Sequence, residues 1–348
     1  MKILVRATNW VGDAVLSLPA LRAIRDKWPD AELSVLARPQ VAALYHNEGF
    51  ANRLLEYDAN GIHRGWRGRE RLARELRASR FDVAVLLQNA MDAAWLAWRA
   101  GIPERIGYAR DARGVLLTRS IPVPRSGEIP AHEQYYYLEL LRRAGWLESL
   151  QGETWISLSL GAPSVRDAEN SLLVAGVRPN VLRIAIGAGA SYGSAKCWAP
   201  SNFAALANRL QAEFDADVIL FGTRAEEEVS RAIAADMDRV PVNLTGKTTM
   251  VDLPAMLSRC HLFVGNDSGA MHVAAAVGLP VVAIFGPTDP HGTAPVTSRR
   301  TLVQEKPFCS PCFLRRCPID HRCMKSITPE AVAAAARTWL SRGAAPLA

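Results

Sequence analysis

No stretch of this chain is apolar enough to cross a membrane as a helix. The longest candidate, Ala270 to Gly286, is broken by His272, Gly278 and Pro280. It falls short of the roughly 20 apolar residues that a spanning helix needs. The first residues, MKILVRATNWVGDAVLSLPALRA, also lack an uninterrupted apolar core, because Arg6 and Asp13 intervene. A signal peptide is therefore not read there, and the chain is expected to stay in the cytoplasm. Gly-x-Gly-x-x-Gly is missing after the first apolar run, which continues Ala7-Thr8-Asn9-Trp10-Val11-Gly12. That removes the main support for a nicotinamide-dependent oxidoreductase. A P-loop is missing as well. Gly246-Lys247-Thr248 imitates its end, but Pro241 stands where the first glycine belongs, and an ATPase is excluded. Cysteine is scarce: six residues, four of them crowded between Cys309 and Cys323. In a reducing compartment that cluster is not a disulfide framework.

What is present is ordinary globular material. At 348 residues, 49% hydrophobic and 22% charged, the chain suits two domains and excludes disorder, collagen and coiled coil. Lys plus Arg number 41 against 34 acids, a net +7 that suggests an anionic partner. The excess sits between Asn60 and Arg125, which hold thirteen arginines, no lysine and six acids. Arginine suits bidentate contacts to phosphate or carboxylate. A solvated helix face accounts equally well for the run Arg64 to Arg80.

Apolar runs alternate with helical periodicity. Lys2–Ala7, Glu32–Ala37 and Phe81–Leu87 read as strands, with helices over Asp13–Trp28 and Glu70–Ser79. The pattern restarts near residue 180, with strands at Leu182–Gly187, Ala216–Phe221, His261–Gly265 and Pro280–Phe285. Helices are expected between them, and a last one at Pro329–Leu340. The segment from about Leu150 to Asn180 reads as a linker, so the expected domains are 1–175 and 176–348. Alternating strands and helices imply parallel sheets covered on both faces. Ligands then gather at the carboxyl ends of the strands, in the loops Thr8–Gly12, Gly187–Pro200, Gly222–Arg224, Asn266–Gly269 and Gly286–Pro290.

Three of these loops carry chemistry. Asp267-Ser268-Gly269 precedes a helix whose free N–H groups and dipole can hold phosphate. His272 follows one turn later, where its ring can face the same ligand. Plain helix capping by Asp267 or Ser268 is the competing explanation. Lys196, in the loop from Gly187 to Pro200, can reach nucleotide phosphates, although a lone loop lysine is usually solvated. Asp13 can serve as a general base on an acceptor hydroxyl or simply cap the first helix. The spacing Cys309-x2-Cys312-x4-Cys317-x5-Cys323, with His321 inside it, could supply four thiolates to a structural zinc or to an iron–sulfur cluster. Reduced thiols in an irregular loop fit it too.

The stretches MKILVRATNWVGDAVLSLPAL, GAGASYGSAKCWAP, VILFGTRAEEE, NLTGKT and VGNDSGAMHVAAAVGLPVVAIFGPTDP together resemble a known family, the ADP-heptose:lipopolysaccharide heptosyltransferases of glycosyltransferase family 9. The likeness is nearest to members that act second in inner-core assembly, which often carry a Cys-rich segment similar to CSPCFLRRCPIDHRCM. The resemblance implies an α/β protein of GT-B fold: two facing Rossmann-like domains with a cleft between them and the last helix crossing back to the first. It implies that the second domain binds ADP-heptose and the first the phosphorylated lipid A–Kdo–heptose acceptor. Asp13 then matches the catalytic base and Lys196 the lysine that meets the donor phosphates. Asp267, Ser268, Gly269 and His272 match the donor-binding turn, with Ser191 and Glu226 as further donor contacts. Asn9, Trp10, Arg64 and Arg67 are the candidate acceptor contacts. The implied reaction is inverting and needs no cofactor and no catalytic metal. The implied place is the cytoplasm, peripheral on the inner membrane, with no nucleic acid as partner. Two alternatives stand beside it. One is a first or third heptosyltransferase with another core acceptor. The other is a zinc-containing nucleic-acid-binding protein, which explains the charge and the cysteines but leaves the phosphate-type loops without a purpose.

Overall fold

A computed structural model describes residues 1–341; the stretch 342–348, part of the expected second domain, lies outside the described residues. The chain divides into two compact units, Met1–Glu153 and Thr154–Ala348. In the first, the order is β1 (Lys2–Arg6), α1 (Val11–Leu16), α2 (Leu18–Lys27), β2 (Glu32–Ala37), α3 (Pro39–Leu44) and β3 (Arg53–Glu56). It continues with α4 (Gly65–Ser79), β4 (Val83–Leu86), α5 (Met91–Arg99), β5 (Glu104–Tyr108), β6 (Arg119–Ile121) and α6 (Glu133–Arg143). The second unit runs α7 (Ala162–Val174), β7 (Arg183–Gly187), α8 (Pro200–Phe214), β8 (Asp217–Phe221), α9 (Glu227–Ala235), β9 (Val242–Asn243) and α10 (Asp252–Ser258). It ends β10 (Leu262–Asn266), α11 (Gly269–Ala276), β11 (Val281–Phe285), α12 (Pro290–Thr293), β12 (Arg300–Gln304), α13 (Arg322–Lys325) and α14 (Pro329–Leu340).

Each unit has one six-stranded sheet, in the orders β3-β2-β1-β4-β5-β6 and β12-β11-β10-β7-β8-β9. Every pairing is parallel. Strands β7, β8, β10 and β11 are buried along their whole length, which is why they read as unbroken apolar runs rather than alternating ones. Within each sheet the strand order reverses at one place, between β1 and β4 and between β7 and β10. Loops at such a reversal diverge and leave a crevice.

The structure departs from the sequence reading in two places. The expected helix Asp13–Trp28 is two helices, α1 and α2, because Pro19 sits in the first turn of α2 and cannot donate the backbone bond a continuous helix requires. The expected linker from about 150 to 180 contains α7, and the units part at Glu153/Thr154 rather than at 175/176. Side chains explain the difference. Glu169 of α7 receives two bonds of 2.7 Å from Arg183 at the start of β7 and one of 3.0 Å from Arg259. Trp155 donates to the Ala275 carbonyl at 3.1 Å. The second unit's core joins Trp198, Phe203 and Leu206 to Val332, Ala333 and Ala336 of α14.

Candidate active site

At the reversal in the second sheet, β7 leads into the loop bearing Lys196 and β10 leads into Asp267. Asn266, fully buried at the end of β10, ties the two together. Its amide donates to the Ala188 carbonyl at 2.6 Å and its oxygen accepts from the Trp198 N–H at 3.1 Å. Lys196 Nζ then reaches Asp267 Oδ2 at 2.5 Å, and Thr288 Oγ1 donates to the same oxygen at 2.7 Å. Lysine and aspartate side chains are 12% and 5% exposed, so the pair is shielded from water and each charge depends on the other.

This arrangement sets aside the capping explanation. The Asp267 carboxylate is engaged by Lys196 and Thr288. Ser268 occupies the N-cap of α11 with an extended backbone but makes no side-chain cap bond. Its buried Oγ has no partner among the described residues. A buried hydroxyl without a partner is costly, and here it lies beside the N–H groups opening α11, where an anion would be received. Gly269 begins the helix, and His272, one turn on, is buried.

Of the remaining donor candidates, Glu226 comes to the same loops. Its carboxylate closes a capping box with Thr223 and lies over Gly189, where a Cβ would fall 1.6 Å from Oε1. A side chain at 189 would therefore displace the Glu226 carboxylate from this position. Ser191 is exposed in the loop that carries Lys196. Asn266, Thr288 and Tyr192 were not singled out in the sequence. Asn266 directly precedes Asp267, and Thr288 lies in the loop after β11, so strand-end position was the available signal. Lys196 Nζ lies 4.9 Å from the Tyr192 ring centroid and the Arg315 guanidinium 5.3 Å from the same ring.

The Cys-rich segment is held against this loop by hydrogen bonds. Tyr192 Oη donates to the Phe313 carbonyl at 2.7 Å, the Ala195 N–H to the Arg315 carbonyl at 3.1 Å, and the His321 ring meets the Ala195 carbonyl at 2.7 Å. The possible structural zinc is not supported. Among the described residues no three His, Cys, Asp or Glu side chains are grouped to hold a metal. Cys323 is buried, with its Sγ close to Gly286, whereas Cys312 is exposed, and Cys317 Sγ accepts from the His321 N–H. Of two Asp-x-Asp stretches, Asp236 to Asp238 follows α9, and Asp215 to Asp217 opens β8 at the sheet's opposite end. Arg178 engages both of its carboxylates, and it takes no part in these loops.

The first sheet repeats the plan. Asn9, after β1, donates its N–H to Gln88, after β4, at 3.1 Å. Its side-chain oxygen accepts from Arg6 at 2.7 Å and from Arg38 at 3.4 Å. Both guanidinium groups lie 5.1 Å from the Tyr57 ring centroid, and burial pulls that of Arg6 down to about 10. Trp10 is exposed and is itself the N-cap of α1, so Asp13 stands in the first turn and does not cap it. Arg64 and Arg67 are exposed at the start of α4.

Glu133, on the first turn of α6, is a second carboxylate near Asp13, and sequence reasoning missed it because the two are far apart along the chain. Burial, reinforced by Asp13, raises its carboxyl to about 7. Folded Glu133 therefore keeps its proton from 4.5 up to about 7, where the unfolded carboxyl loses it. Its contribution to stability falls as the pH rises through that window. Glu133→Gln should abolish this slope. Thermal melts should show the variant gaining on the wild type between pH 5 and pH 8, and a gap that stays constant would contradict the assignment.

Two parallel α/β units, each with polar groups at its strand reversal, are the architecture of the GT-B class. Comparison with known proteins carries the assignment further: residues 69–322 match glycosyltransferase family 9 (heptosyltransferase), and the chain belongs to that family. Lipopolysaccharide heptosyltransferase 2 of Salmonella typhimurium is 30% identical, over 87% of this chain and 88% of that protein. Lipopolysaccharide heptosyltransferase 3 of Escherichia coli is 27% identical over 80% and 81%. The solved structure of E. coli ADP-heptose lps heptosyltransferase II superposes with a TM-score of 0.82 at 28% identity, covering 99% of this chain and 100% of that one.

Proposed function

We propose that this enzyme transfers L-glycero-D-manno-heptose from ADP-heptose to the first heptose of the lipopolysaccharide inner core, carried on lipid A–Kdo. The observation that carries the reading is the Lys196–Asp267–Thr288 cluster beside the open start of α11 in a member of this family. The second unit takes the donor. Lys196 and the N–H groups at Ser268 and Gly269 meet the diphosphate as ADP leaves, a placement of fixed donors where charge develops. Asp267 and Glu226 receive sugar hydroxyls, with Ser191 and His272 lining the same place. The first unit takes the acceptor through Asn9, Trp10, Arg64 and Arg67. Asp13 removes the proton of the attacking hydroxyl, and inversion follows from a single displacement. The acceptor is lipid-borne, so the enzyme works peripherally at the cytoplasmic face of the inner membrane.

The test is transfer from ADP-heptose to purified Kdo–lipid A with and without its first heptose. Reaction only with the heptose-bearing acceptor supports the proposal. Reaction only with the heptose-free one makes this a first transferase. ADP binding without transfer to either overturns the choice of sugar or acceptor.

A further inference from the structure

The first unit presents one surface of which the proposed transfer chemistry uses only Arg67, at its edge. On α5, Met91, Trp95 and Trp98 fall at positions i, i+4 and i+7, one stripe of the helix. Ala93, Ala94, Leu96 and Ala97 face the core instead. Met91 is 41% exposed and Trp98 49%. Across from them on α4, Trp66 is 62% exposed and meets Trp95 edge-on, with ring centroids 5.9 Å apart. Ile62, just before α4, is 63% exposed. The two helices enclose an open groove of about 580 Å³ lined by Trp66, Arg69, Met91, Asp92 and Trp95. On its other side Trp66 borders a second groove with Arg67, Arg71 and Arg74. Among the described residues none of these three arginines forms an ion pair.

We infer that this α4–α5 face is the surface by which the enzyme docks on an anionic phospholipid bilayer. Large aromatic side chains left in water cost free energy, and contiguous apolar exposure marks an interaction surface. Tryptophan favours the headgroup level of a bilayer, where its ring is half wet. Unpaired arginines beside it suit anionic headgroups, and their long stems can lie along apolar surface. The thirteen arginines and absent lysines of residues 60–125 supply the matching charge. The face also abuts the strand ends. Asp92, which lines the groove, accepts from Tyr57 Oη at 3.1 Å, and Tyr57 lies beneath the Arg6 and Arg38 that hold Asn9. A bilayer on this face would bring lipid-borne acceptor to that loop. This adds to the heptosyltransferase reading the place where enzyme meets lipid, while the surface itself is argued without it.

The test is sedimentation of the whole chain with vesicles of phosphatidylglycerol and phosphatidylethanolamine, beside vesicles of phosphatidylcholine alone. The wild type should bind the anionic vesicles preferentially, and less so as salt rises. Arg71→Ser with Arg74→Ser should lower the partition coefficient about 30-fold, at about 1 kcal/mol per arginine. Trp66→Ser with Trp98→Ser should weaken binding at every salt concentration, whereas Val240→Ser, an exposed apolar site on the second unit, should not. All variants should keep the wild-type melting temperature, which shows that they fold, and the wild-type rate on a deacylated, water-soluble acceptor. Equal binding to both vesicle types, unchanged partition of the arginine or tryptophan variants, or capture by RNA in place of vesicles overturns the inference. Absence of transfer in the wild type would instead overturn the functional reading and leave the vesicle result standing.

Discussion

Asp13→Asn should lower kcat about a hundred- to ten-thousand-fold, the usual contribution of a general base, while the Kd for ADP stays that of the wild type. The amide keeps the size and position of the carboxylate on the first turn of α1 but cannot take a proton. On the proposed reading the donor binds the other unit, where Lys196, Asp267 and Thr288 lie, so ADP affinity supplies an internal control. Single-turnover transfer and calorimetric titration with ADP, on the same preparation, read the two quantities. A loss of ADP affinity equal to the loss of rate would place Asp13 elsewhere than at the acceptor hydroxyl. The variant carries a second signature, because Asp13 helps hold the Glu133 carboxyl up. Without that charge the pH slope of stability assigned to Glu133 should become shallower.

Asp267→Ala should be the most damaging change in the second unit. It leaves the Lys196 ammonium, mostly buried, without its counter-charge and Thr288 without its acceptor. Removing one partner of a buried pair typically costs about 3–5 kcal/mol, and transfer should fall with the lost sugar contact. The informative part is what ADP then does. Its phosphates can replace the carboxylate as the lysine's partner, so saturating ADP should raise the melting temperature of Asp267→Ala by more than it raises that of the wild type. Differential scanning fluorimetry with and without ADP decides it. An equal or smaller rise in the variant would mean that Lys196 does not face the phosphates.

Much of this architecture was legible in the sequence, and the reasons for the rest are physical. The fully buried strands β7, β8, β10 and β11 are unbroken apolar runs, so they appear at once. By contrast, β3 and β12 are edge strands, half exposed, with no such run to betray them. Helix α7 was hidden because Glu169 fastens it through charge to arginines distant in sequence. The candidate donor residues were readable because Lys196 and Asp267 each stand in a loop after a strand end. Their pairing was not, since it depends on Asn266 drawing two loops together. Glu133 was invisible for the same reason: only the fold brings α6 to α1. The cysteine spacing alone could not decide for a metal, because it says nothing about burial, and Cys323 is buried while Cys312 is exposed.

The two sheets share one strand order and keep separate cores, with the joint falling between two adjacent residues, Glu153 and Thr154. Such a molecule can be inherited in halves. Substitutions that remodel the loops after β1 and β4 leave the packing behind β7 and β10 untouched, so on the proposed division of donor and acceptor one specificity can drift while the other is conserved. Chimaeras of related enzymes joined at this point should therefore fold, each half bringing its own preference with it.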